Sequence, residues 1–410
     1  MVVRGTRTAM ARGTILSRVG HFVVACSGWH PELGFLSAPY PGPDQPIRVS
    51  RVPTPEDYMA RFTPSLKASA SGGLFLLLAS VPAYGQHQKA HRPLHLAAQG
   101  TFYVGGRIEF RSPNSSTDIN SPRSLPGNIA VHQMYVEYQV PEQTKYRFPI
   151  VFMHGGGHTG EFFRTTPDGR EGWFTSFTRR GFAVYDVDGP NRGRAGWDPT
   201  NRFATTQPPF LPPTAMEEAN IYSEQSAWTA FRWGPTFGTA YPNRKFPLAY
   251  VKNYLKEIQP AYRDTPENRY IQEDLKALVD TIGPCILLGW STGTGNVMVA
   301  ASGRLYKVKA VIGIEGFPGA EGNRPPDELA ARTPFLGIAG DNLDPAPFKA
   351  YTDTLVGLGG DATTVWLPDA GLFGNGHTMA LELNNEKIAD LIENWIVHHV
   401  PNVVGPLKQR

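Results

Sequence analysis

Cysteine is nearly absent from this chain. Cys26 and Cys285 are the only two in 410 residues, too few for a disulfide scaffold, and no His/Cys/carboxylate cluster has metal-ligand spacing. Cys285 lies inside an apolar run, where a thiol packs as a small apolar group. Charge of one sign is also missing. Thirty-nine Lys+Arg against 36 Asp+Glu leave a formal net charge of +3, and without a basic run there is no footprint for nucleic acid. No apolar run is long enough to cross a bilayer, so no stable membrane insertion is expected. No internal repeat is present, and no Gly-Lys-Ser/Thr follows a glycine-rich stretch, which argues against a phosphate cradle. Proline and glycine, by contrast, are abundant (37 and 43 residues), and they predict long loops and tight turns.

The N-terminal region reads in two parts. Residues 1–58 are rich in Pro, Gly and Arg without a sustained period, and read as a non-native or disordered extension. Residues 59–85 read as a signal peptide: a basic start at Met59-Ala-Arg, the short apolar run Gly73-Leu-Phe-Leu-Leu-Leu-Ala-Ser-Val and small residues after it. Secretion is therefore expected, and the sequon Asn114-Ser-Ser is consistent with it.

From about residue 100 to 400 the pattern becomes regular. Phe102–Phe110 and Met134–Val140 alternate apolar and polar residues as strands do. Short, continuously apolar runs at 148–153, 182–187, 284–289, 308–314, 334–339 and 363–367 predict buried strands. Helical spacing at 171–180, 267–282 and 386–397 falls between or after them. This alternation predicts an α/β fold with a mainly parallel eight-stranded sheet and helices on both faces. One segment breaks it. Residues 197–265, rich in Pro and aromatics (Phe203, Phe210, Trp228, Phe231, Trp233, Phe237, Tyr241), read as a cap insertion over the strand ends, the alternative being a packing insertion elsewhere.

The chemistry-bearing signal is Gly289-Trp290-Ser291-Thr292-Gly293 after Cys285-Ile-Leu-Leu. Gly-x-Ser-x-Gly after a buried strand is a nucleophile elbow, which lifts a serine hydroxyl above the sheet. A serine needs a histidine base and an acid to orient it, in the chain order serine, acid, histidine. Three histidines follow Ser291. His398 and His399 end a helix, where cationic groups are favoured anyway. His377, in the loop Gly371-Leu-Phe-Gly-Asn-Gly-His, is the expected base. Glu315 and Asp341 both follow strands and both qualify as the acid. An oxyanion hole is expected from the N–H groups of Thr292 and of Gly156 or Gly157, in the run His154-Gly-Gly-Gly.

With these residues stand His154-Gly, Thr166-Pro-Asp-Gly-Arg-Glu-Gly-Trp173, Arg180-Gly-Phe-Ala-Val-Tyr, Asp188-Gly-Pro-Asn-Arg-Gly-Arg194, Glu315-Gly and Gly374-Asn-Gly-His377. Together they resemble the secreted α/β-hydrolases of the esterase 713-like family, over roughly residues 100–400. The resemblance implies a triad glutamate after the strand that follows the elbow, which falls on Glu315 rather than Asp341. The expected activity is cleavage of a carboxylic ester through an acyl-enzyme, without cofactor or metal. The substrate is a small ester, and the aromatic insertion points to an apolar or aryl one. A cofactor-free perhydrolase or lactonase would use the same triad. A silent binding protein on this scaffold is the third reading, and the presence of all three triad residue types argues against it.

Overall fold

The computed structural model describes residues 92–111, 127–196, 221–260, 265–316 and 324–407. The proposed extension and signal peptide, the sequon at Asn114, Cys26, and Phe203 and Phe210 of the insertion lie outside the described residues.

Among the described residues eight strands form one sheet in the order β1-β2-β4-β3-β5-β6-β7-β8. They are β1 Leu96–Arg111, β2 Gly127–Pro141, β3 Ile150–Met153, β4 Val184–Asp188, β5 Cys285–Trp290, β6 Val308–Ile314, β7 Phe335–Ala339 and β8 Ala362–Trp366. From β4 across to β8 every pairing is parallel. β1 and β2 make a long antiparallel ribbon that joins the sheet through β4. This ribbon runs further than its alternation predicts, because cross-strand pairing extends it beyond the half-buried part.

The two-residue period of the strands divides the core into two layers. Ile286, Leu288 and Trp290 of β5 face the layer that holds Trp173, Phe174 and Phe177 of α1 (Trp173–Arg179) and Ile388, Ile392 and Ile396 of the last helix, α8 (Asn385–His399). Cys285 and Leu287 face the opposite layer. That layer holds Ile271, Leu275, Leu278 and Val279 of α4 (Thr265–Ile282) and Val297, Met298, Ala300 and Ala301 of α5 (Thr292–Ser302). Helices thus cover both faces, and strands buried on both sides have no polar position to alternate. Cys285 is fully buried in apolar surroundings that push its thiol up to about 12, as expected of a packing cysteine.

Shorter helices complete the described chain: α2 Glu224–Ala230, α3 Val251–Tyr254, α6 Asp327–Ala330 and α7 Ala346–Gly357. Helix α7 is one the sequence reading passed over, although Pro345 precedes it and Phe348, Tyr351 and Leu355 give it a buried face.

Register decides where the strands end. Met153 pairs with Gly289, Gly289 with Gly313, and Ile314 with Ile338. The residues after these strands, His154, Ser291, Glu315 and Gly340, therefore emerge side by side at the carboxyl edge, where open α/β sheets hold their ligands.

Candidate active site

Ser291 sits between β5 and α5 with φ 54° and ψ −126°, a conformation that costs a non-glycine residue on the order of 1–3 kcal/mol. The glycines around it are required by contact. A Cβ on Gly289 would lie 2.6 Å from the Gly293 backbone, and one on Gly293 would lie 2.4 Å from the His154 carbonyl. The turn can therefore pack against both its own helix and the loop after β3. Thr292 is the first residue of α5.

The loop after β3 lies against this turn. A Cβ on Gly155 would meet Ser291 Cβ at 2.9 Å, and one on Gly156 would face the Thr292 hydroxyl at 3.6 Å. Gly157, with φ 72°, turns away toward the ring of Tyr222. Two histidines hold the loop's shape. His154 contacts the Gly155 carbonyl through Nδ1 and accepts the Gly189 N–H at Nε2, at 3.0 Å. His158 reaches the Gly156 carbonyl with Nδ1 and the Tyr254 hydroxyl with Nε2. Burial lowers both, to about 4 and about 3, so each is a neutral strut. Asp188 accepts N–H bonds from Gly160 and Arg194 and braces the far end of the loop.

His377 enters from the loop after β8. Its carbonyl accepts the indole N–H of Trp290 at 2.7 Å, and its own N–H donates to the Phe231 carbonyl at 3.1 Å. The Phe231 ring lies parallel to the imidazole, 5.6 Å between centroids. Behind the loop, fully buried Glu382 accepts the Gly376 N–H at 2.7 Å and the Asn375 side-chain amide. Burial pushes Glu382 up to about 7 despite nearby Arg244. Arg170 of the Pro-Asp-Gly-Arg block bonds the carbonyls of Leu381 and Glu382 and the side chain of Asn385. That block therefore buttresses the chain just beyond His377.

The two carboxylates differ in what they touch. Glu315 Oε2 lies 3.3 Å from His377 Nδ1, and its Oε1 accepts the Gly340 N–H. Burial raises its pKa. The His377 hydrogen bond, the Arg232 charge and the Gly340 N–H outweigh that, so the carboxyl is held below its ordinary range. Asp341 instead accepts the backbone N–H groups of Gly374 and Asn375, at 2.8 and 3.2 Å, and bonds the Asn375 carbonyl through its own N–H. It supports the histidine loop from beneath.

His398 and His399 are elsewhere: His398 bonds the Asn394 carbonyl, and His399 pairs with Asp361 and stacks on Trp395. Among the described residues no group of three or more His, Cys, Asp or Glu could hold a metal ion, and no helix is long and apolar enough to cross a membrane.

The described part of the aromatic insertion packs on these same loops, through Phe231 against His377 and Tyr254 against His158. Sequence reasoning missed Arg232, which pairs with Glu315. It lies in a segment without periodicity, where only a contact could single it out.

The fold and the strand-end arrangement define an α/β-hydrolase. A bacterial esterase of atomic-resolution structure is 30% identical, with a TM-score of 0.66 over 75% of this chain and 98% of that one. The chain belongs to that esterase's family, and so to the carboxylic-ester hydrolases. The probable secreted lipase phiG of a fungal species (strain ATCC 74256) is 27% identical over 364 residues, 76% of this chain and 92% of the lipase. No family model matches the chain.

Proposed function

We propose that the chain is a secreted serine esterase of the esterase 713-like group that acts through Ser291, His377 and Glu315. The observation that carries this reading is the 3.3 Å approach of Glu315 Oε2 to His377 Nδ1 at the strand end beside the elbow. With Nδ1–H directed to Glu315, Nε2 is left unprotonated to take the Ser291 hydroxyl proton as Oγ attacks the ester carbonyl. The carbonyl oxygen becomes an oxyanion, held by the N–H groups of Thr292 and Gly156. Gly156 is taken over Gly157 because it lies beside Thr292, whereas Gly157 lies against Tyr222. The imidazolium then protonates the leaving alcohol, and water, deprotonated by the same histidine, releases the acid and restores Ser291.

Phe231 and Tyr222 flank the histidine and the glycine loop, which favours an apolar acyl or aryl group over a polar one. The lipase name of the fungal relative and the apolar run at 73–81 support an exported enzyme on such substrates. The test is hydrolysis of p-nitrophenyl esters of graded acyl length by the purified protein and by Ser291→Ala. Turnover that survives in Ser291→Ala, or none in the parent protein, overturns the reading.

A further inference from the structure

We propose that Arg232 is a positioning residue for the proposed acid–base pair, locking Glu315 toward His377 from the aromatic insertion. This rests on the reading of Ser291, His377 and Glu315 as a triad. Helix α2 ends at Ala230. The N–H of Arg232 bonds the Thr229 carbonyl and that of Trp233 the Trp228 carbonyl, so the chain closes the helix with a left-handed residue. That residue is Arg232, with φ 57°. Glycine is the usual occupant of this position, because a Cβ is strained there. The backbone therefore does not explain an arginine, and its side chain does. Its Nη2 reaches Glu315 Oε2, the same oxygen that faces His377 Nδ1.

The neighbouring residue completes the clamp. Phe231 lays its ring parallel to the imidazole and accepts the His377 N–H on its carbonyl. The Lys245 N–H donates to the Gly374 carbonyl at 2.8 Å, docking the same insertion on the histidine loop. One turn of chain thus touches both base and acid. The titratable and charged groups around Glu315 are His377 and Arg232, with Glu382 and Arg244 further back behind the histidine loop. A carboxylate with a side chain 1% exposed depends on its protein partners to stay ionised and oriented, and the guanidinium adds to what the His377 ring and the Gly340 N–H supply. Its positive charge also lowers the pH at which the Glu315 carboxyl protonates.

The experiment measures p-nitrophenyl ester kinetics from about pH 5 to about pH 9. It uses the parent protein, Ser291→Ala, Arg232→Gln, Arg232→Gly and Arg232→Lys, with thermal melts to verify folding. Arg232→Gly relieves the left-handed strain, so it folds even if Arg232→Gln does not. In both neutral variants kcat is expected to fall on the order of 10- to 100-fold, with KM within about two-fold. Without the Arg232 charge Glu315 protonates at higher pH, so the acidic limb of the rate profile moves up, and added guanidinium ion restores part of the rate of Arg232→Gly. Arg232→Lys keeps the charge without the fork and retains part of kcat, with the acidic limb in place. Parent-like kcat and pH profiles in folded neutral variants, with Ser291→Ala inactive, overturn this inference alone. Activity surviving in Ser291→Ala overturns it together with the triad reading.

Discussion

Glu315 and His377 are 62 positions apart, yet a carboxylate oxygen of one lies 3.3 Å from a ring nitrogen of the other, while Asp341 is engaged with the backbone of the histidine loop. The two carboxylates should therefore respond differently to loss of charge. Glu315→Gln is expected to lower kcat on the order of 10²- to 10⁴-fold with little change in KM. Asp341→Asn keeps an oxygen for only one of the two N–H groups. It should cost about 1–3 kcal/mol of stability and less than Glu315→Gln in kcat. Steady-state kinetics with denaturant melts on both variants decides it; the reverse ranking in kcat would make Asp341 the acid.

Strain at the elbow predicts a divergence between stability and activity. Ser291→Gly relieves on the order of 1–3 kcal/mol of backbone strain, against roughly 0.4–1 kcal/mol of extra unfolded-chain freedom. It should be about 1 kcal/mol more stable than Ser291→Ala, which keeps a Cβ in the same conformation. Both should be inactive. Equal melting curves for the two variants would limit the strain to the roughly 0.4–1 kcal/mol that the extra unfolded-chain freedom offsets, and a less stable Ser291→Gly would show that the position carries none.

Gly155 has no room for a methyl group. Its Cβ would lie 2.8 Å from the Trp290 ring and 2.9 Å from Ser291 Cβ. Gly155→Ala is expected to destabilise by about 1–3 kcal/mol and to cut kcat by displacing the serine, whereas Gly169→Ala, whose Cβ meets nothing within 4 Å, leaves kcat alone. Gly169 has φ 81°, so its alanine variant loses some stability through backbone strain only. A Gly155→Ala protein with parent kinetics would mean that this loop does not bear on the serine.

Asp274 of α4 accepts the Gly106 N–H, and burial pushes its carboxyl from 3.8 up to about 7. A raised acid favours the protonated folded state. Its contribution to stability is fully present below about pH 4 and is lost as pH rises through about 7. The parent should thus lose stability relative to Asp274→Asn over that window, at up to roughly 1.4 kcal/mol per pH unit. Glu382 and Glu257, raised to about 7 and about 9, act with the same sign in both proteins and cancel from the difference. Urea titrations at four pH values measure it, and parallel pH dependences would sink the assignment.

The order of strands and helices was legible because burial on both faces of a parallel sheet forces short continuous apolar runs, and the elbow was legible because its steric demands are local. Residues Gly289 and Gly293 are needed by contacts within a few positions of the serine, apart from the approach of His154, so they form a motif. His377 stands out in the sequence because few histidines follow the serine. The choice between Glu315 and Asp341 was different. Both follow buried strands: Asp341 holds the more usual acid position of the fold, Glu315 sits one strand nearer the serine with a longer side chain, and it is the resemblance to known esterases that favours Glu315.

By itself, then, the sequence determined the class of fold, the serine turn and the loop that carries the histidine, since each depends on local periodicity or local sterics. Tertiary structure decided which carboxylate reaches the imidazole, because that depends on the register of β6 against β7 and on the engagement of Asp341 with Gly374 and Asn375. It also decided what Arg232 touches. A left-handed arginine at a helix end has no sequence signature, and its partner lies 83 residues away.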